Sequence, residues 1–121
     1  MKGFARFQRR ERIADAALAR AVTGMETGLV DADLGGRLVR QRIARAGQGK
    51  SGGFRTVIAY RRGDRAIFLV GFAKNERDNV DDDELNELKG LARSFLTLHG
   101  DQIEALVAEA ELMEVAYGED N

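Results

Sequence analysis

The chain has 121 residues, with 19 Lys+Arg against 20 Asp+Glu, one histidine and no cysteine, which bounds it to one domain with a modest core. Without cysteine there is neither a disulfide framework nor a thiolate zinc site, and one histidine excludes a multi-histidine metal cluster. No apolar run approaches the roughly 20 residues of a membrane span, and the basic N-terminus leads into an amphipathic stretch and not a signal sequence, so a soluble cytoplasmic protein is expected.

The near-neutral total conceals a strong asymmetry. Up to Arg77 there are 17 Lys+Arg and 7 Asp+Glu, whereas from Asp78 onward there are 2 and 13. A basic body followed by an acidic tail suits a polyanion partner, although unevenly placed surface charge reads the same way.

In chain order, Phe4 to Ile13 is too basic and unalternating for a strand and predicts a short helix with Phe4, Phe7 and Ile13 inward. Asp15 to Met25 continues with Ala17, Leu18, Ala21, Val22 and Met25 at helical spacings, and Gly28 is the better placed C-cap, which makes a helical hairpin. After the turn Asp31-Ala-Asp-Leu-Gly-Gly36 the period changes to two. Strands are predicted over Leu38–Arg45, Phe54–Arg62 and Arg65–Ala73, with Gly63-Asp64 as a two-residue hairpin turn. The third strand is apolar on both faces and therefore central or covered by a helix.

Asp81 to Glu84 opens the clearest helix. Asp81 is the cap with Glu84 three residues later, and Leu85, Leu88, Leu91, Ala92, Phe95 and Leu96 line one face until His99-Gly100 ends it. His99 there is explained by a favourable helix-dipole contact. Asp101 to Ala110 predicts a further short helix, and Leu112 to Tyr117 a short edge strand or ordered tail; residues 101–121 hold seven acids and no Lys or Arg. The order gives an α+β fold, a helical hairpin on a three-stranded antiparallel meander, then a C-terminal helix and an acidic tail.

One segment carries more than architecture. Gly47-Gln-Gly-Lys-Ser-Gly-Gly-Phe-Arg55 is followed by a strand, a hairpin and a strand ending in Gly71-Phe-Ala-Lys-Asn-Glu-Arg77. This joint pattern resembles the RelE/HigB branch of the RelE/ParE superfamily, in which a basic glycine-rich loop ends in an aromatic–arginine pair and a Lys-Asn-Glu or Lys-Arg-Glu strand follows about twenty residues later. The upstream Asp31–Gly36 turn is similar to the same subgroup. The likeness spans about Phe4 to Leu98, so residues 1–100 are expected to form the toxin domain and 101–121 an acidic extension.

The resemblance implies a toxin of a bacterial type II toxin–antitoxin pair, a metal-independent endoribonuclease that cuts messenger RNA on the ribosome. The RNA's own 2′-hydroxyl attacks the adjacent phosphate, no cofactor is needed, and a cognate antitoxin, a small DNA-binding protein, holds the toxin silent. Such cleavage needs a proton acceptor, cations for the phosphorane and an acid for the leaving oxygen. Arginine suits the second task, because its planar fork meets two phosphate oxygens.

Arg55 matches the aromatic–arginine pair and ranks first, with Lys74, Arg77 and Glu76 as the other candidate catalytic residues. Lys74 reads as a phosphate ligand or as acid or base, and Glu76 as an anchor for Lys74 or Arg55 or as the base. Lys50, Arg40, Arg42 and Phe54 are the candidate RNA contacts, with the loop glycines leaving backbone amides open to an anion. Two motif positions differ from RelE itself: Asn75 stands where it has an arginine, and Asp81 where it has a tyrosine. The N-terminal strand usual in the fold is missing. Two other readings stay open: a ParE-like gyrase poison, and a silent module that binds only RNA or antitoxin.

Overall fold

The computed structural model describes residues 2–45, 49–74, 76–77 and 79–115, with the side chains at 2, 45 and 49–52 outside that description. Four antiparallel strands form one sheet in chain order: β1 (Ala32–Gly35), β2 (Leu38–Arg45), β3 (Gly49–Arg61) and β4 (Arg65–Ala73). Helices α1 (Lys2–Glu11) and α2 (Asp15–Glu26) precede the sheet, and α3 (Asp82–Thr97) and α4 (Gly100–Ala108) follow it. The α+β class and the helical hairpin are as expected. No helix among the described residues is long and apolar enough to cross a membrane.

The meander has four strands, not three. The segment expected to be only a turn is a four-residue edge strand, with Ala32 opposite Arg40 and a register shift between Asp33 and Gly35. Its shortness hid it: two acids and two glycines in six residues have no visible period. Gly35 and Gly36 take φ of +83° and +60°, a left-handed pair that reverses the chain at little steric cost.

Alternation along the strands sorts the two faces. Val39, Ile43, Phe54 and Ile58 point to the side covered by α1 and α2, where they meet Phe4, Phe7, Leu18 and Met25. Phe7 packs edge-on to Phe54 at 5.6 Å between ring centroids. It also lies over Gly71, where a Cβ would come within 2.4 Å of its ring. The end of α2 is closed by Gly28, at φ +92°, with Leu29 N donating to Gly24 O at 2.8 Å and Gly28 N to Met25 O at 3.0 Å, the paired bonds of a Schellman cap.

The other face carries Leu38, Val57, Ala59, Leu69 and Phe72 against Leu88, Ala92 and Leu96 of α3. The expected cap is present: Asp81 accepts from Glu84 N, and Glu84 accepts from Asp81 N. The far end of α3 is held by Arg61 and Arg65, which donate to the carbonyls of Leu96 and Phe95 at 2.6 and 2.8 Å. Both cations sit where the helix dipole favours them.

Several boundaries move. The β3–β4 connection is a three-residue loop, Arg62 to Asp64, because Arg61 pairs with Arg65. Strand β3 begins at Gly49, inside the expected glycine loop. Gly53 is not an open amide cradle but a close-approach position: its carbonyl accepts from Lys74 N, and a Cβ would lie 2.3 Å from Ile43 O. Residues 46–48, which include Gly47, lie outside the described residues. His99 is the N-cap of α4, its amide bonded to the Gln102 side chain, so the dipole contact expected for it does not apply. Leu112 is buried and Val115 packs against the α1 side of the core; Tyr117 lies outside the described residues.

Replacing Gly53 with alanine should force β2 and β3 apart at the register shift. We expect a loss of about 2–3 kcal/mol, as for overpacking a tight contact, read as a lowered denaturant midpoint. An unchanged midpoint would show that the approach is not tight.

Candidate functional site

Arg42, Arg55 and Phe72 are Cα partners across β2, β3 and β4, one row of the sheet. Arg40 is two residues from Arg42 and so shares its face. These side chains converge on Asp31, at the entrance to β1. Arg40 Nε lies 2.8 Å from Asp31 Oδ2, Arg42 Nε 3.1 Å from Oδ1, and Arg55 Nε 3.8 Å from Oδ2.

Asp31 is placed by the opposite face of β2. Gln41 is buried there, and its amide donates to Leu29 O at 2.8 Å and to Ala21 O while its Oε1 accepts from Asp31 N at 3.0 Å. One buried side chain thereby ties the end of α2 and the approach to β1 to the sheet. Burial pushes the Asp31 carboxyl up, but the Arg40 hydrogen bond and the charges of Arg40, Arg55 and Arg42 together outweigh it, so its pKa is lowered.

The three arginines are not equally reachable. The Arg42 side chain is 49% exposed and Arg40 18%, whereas Arg55 is only 10% exposed. An incoming anion meets Arg42 first, with Arg55 beneath. Arg55 is therefore a buried residue well inside β3.

Arg77 joins the same neighbourhood from beyond β4. Its guanidinium lies 4.7 Å from the centroid of Phe72, the cross-strand partner of Arg55. It is held by a two-pronged pair with Glu84, at 2.6 and 3.1 Å. That hydrogen bond lowers the Glu84 pKa and raises that of Arg77. Glu84 thus serves twice, in the α3 capping box and as the clamp on Arg77.

The remaining sequence candidates divide. Lys74 is half-buried, and its amide bond to Gly53 at 3.3 Å keeps its backbone two residues from Arg55 across the ladder. Glu76 is exposed, and the carboxylate that anchors an arginine here is Glu84. Phe54 is a correction: it is 3% exposed, packed on Phe7 on the α1 side, and so cannot offer its ring to RNA on the arginine face. The Lys50 side chain and Asn75 lie outside the described residues. Asp81 is the N-cap of α3. Sequence reasoning missed Asp31 and Gln41 as members of the site; the Asp31–Gly36 turn was noticed, but nothing in a period of two singles out its first acid.

Asp31→Asn should cost roughly 3 kcal/mol, the scale for removing one partner of a largely buried ion cluster. The pH dependence has a definite sign. The lowered folded-state pKa means that this carboxylate's contribution is complete above its ordinary value of 3.8 and is lost as pH falls through the folded value. The stability gap between parent and Asp31→Asn, measured by denaturant titration, should therefore narrow as pH drops below about 4. A gap that is constant or widens on acidification would contradict the cluster.

A family model described as the RelE toxin of the RelE/RelB toxin–antitoxin system matches residues 1–115. A search of curated proteins found no match. The matched span takes in the four strands and four helices of the described residues and the whole arginine cluster. The chain belongs to the RelE toxin family, as the toxin member of a toxin–antitoxin system whose partner is a cognate antitoxin.

Proposed function

We propose that this toxin inhibits translation as a ribosome-dependent endoribonuclease, with the Arg40, Arg42 and Arg55 face as the phosphate-handling part of its active site. The observation that carries the reading is the convergence of three arginines from two strands on one carboxylate. The same forks that hold two carboxylate oxygens fit two phosphate oxygens. An anion taking the place of Asp31 would find its counter-charges already arranged.

In the proposed reaction the 2′-oxygen of the message bonds to the adjacent phosphorus and loses its proton, the bond from phosphorus to the 5′-oxygen breaks, and that oxygen gains a proton. The products are a 2′,3′-cyclic phosphate and a 5′-hydroxyl. The arginines offset the extra negative charge of the phosphorane, where fixed cations act most strongly. Proton transfer falls to Lys74 and Glu76, on the turn after β4. Asp31 is a poor base, because its arginine partners lower its pKa and so weaken its hold on a proton. Arg77, fixed over Phe72, lines the edge of the same face. Ribosome and messenger RNA are the proposed partners, and the antitoxin is taken to be a small DNA-binding protein.

Arg55→Lys keeps a cation but loses the fork, and Arg55→Ala removes both. Cleavage of a translated message, followed by primer extension, should slow on the order of 10² for Arg55→Ala, and by less for Arg55→Lys. Both variants should retain a cooperative melt and antitoxin binding. Cleavage by a folded Arg55→Ala at the parent rate would remove Arg55 from the mechanism.

A further inference from the structure

A second cationic site lies away from this cluster, at the opposite end of β2. A cavity of about 390 Å³ is lined by Gly36, Arg37, Arg61, Lys89, Arg93, Leu96 and Thr97. Its walls hold four cations and no carboxylate. Lys89 and Arg93 are also the only Lys or Arg residues after Arg77, among 13 acids, and both face this cavity. An acidic segment whose two cations share one pocket is not distributing charge for solubility.

The pocket is built rather than incidental. The stem of Lys89 lies along the β1–β2 turn so closely that a Cβ on Gly36 would stand 2.9 Å from Lys89 Cγ. The glycine makes room for it. Arg37, next in the chain, takes φ of +65°, a left-handed conformation that costs a non-glycine residue energy and that persists where the surroundings impose it. Arg61 forms the anchored wall, paired with Asp64 and bonded to Leu96 O. Lys89 and Arg93 stand four apart on one helix face, a like-charge spacing that weakens an isolated helix. Folding therefore assembles repulsion here, which a bound anion would relieve.

We infer that the Arg37, Lys89 and Arg93 pocket is a second phosphate-binding site for the RNA strand engaged at the Arg55 cluster. The inference rests on the RNA reading of that cluster. Arg37 immediately precedes β2, and Arg40 and Arg42 lie further along it, with the short strand β1 paired beside residues 38–40, so the two sites are neighbours along one strand. The five steps from Arg37 to Arg42 span at most about 17 Å at a strand's rise, a distance that a few nucleotides of single strand cover. The second site holds the strand in register and does no chemistry. Arginine and lysine contacts to phosphates position a nucleic acid without reading its sequence.

The test uses fully 2′-O-methylated RNA, which cannot be cut by its own 2′-hydroxyl, as a trimer and as a 12-mer. The variant is Lys89→Gln with Arg93→Gln, which keeps the packed stems. For the 12-mer, affinity should fall about tenfold near 0.1 M salt, and the slope of log affinity against log salt should drop by about one. Trimer binding should be unchanged, and the melting temperature equal to or above the parent's. Parent-like affinity and slope for the 12-mer overturn the inference, as does an equal loss for both lengths. Binding of a glutamate 12-mer as tight as the RNA 12-mer overturns it too, in favour of an acidic peptide site. Failure of the Arg55 reading shows separately, as an Arg55→Ala variant that binds the trimer like the parent.

Discussion

The arrangement depends on one carboxylate placed among three arginines. Arg42 and Arg55 are directly opposite on paired strands with Arg40 alongside, and like charges so placed oppose sheet formation. Asp31 converts that repulsion into a cluster with its nearest contact at 2.8 Å. Gln41 fixes the Asp31 backbone from the far side of β2. A glutamine buried in the helical face of the sheet thereby helps to position the charge cluster on the other face. The toxin carries a cationic surface that is assembled before any nucleic acid arrives, at a cost met within the fold.

Helix α3 is the second constraint, and it divides the face. Its apolar side covers Leu38, Val57 and Ala59, leaving cations at the margins. Its first turn supplies Glu84, which holds Arg77 over Phe72; its last carbonyls hold Arg61 and Arg65. A single helix thus sets the position of arginines at both ends of the sheet. Its two cations, Lys89 and Arg93, project toward the β1–β2 turn, where glycine leaves them space. The basic body and the acidic C-terminal part are consequently not separate regions in charge terms.

Much of this was legible in the sequence, and the failures have physical reasons. The helical hairpin, β2, β4 and the Asp81–Glu84 cap followed from period and capping chemistry, which are local. Strand β1 was not legible, since four residues with a register shift carry no alternation. Of the glycines before Arg55, Gly53 has a different reason from the one its loop suggests: β2 passes too close there for a Cβ. Phe54, Arg55's neighbour in the motif, lies on the opposite face, because adjacent strand residues point oppositely. Asp31 and Gln41 belong to the site through contacts ten residues apart in sequence, which no local pattern reports. The resemblance in the Gly47–Arg55 and Lys74–Arg77 segments reached the family directly, without passing through any of these contacts.

What the arginine cluster does is decided most directly by the chemistry of the RNA ends. Messages recovered from a translation reaction containing the toxin should carry new 2′,3′-cyclic phosphate or 3′-phosphate ends paired with 5′-hydroxyls, and only when ribosomes are engaged on them. New 5′-phosphate ends, or translation arrest with intact messages, would contradict 2′-hydroxyl attack at this face.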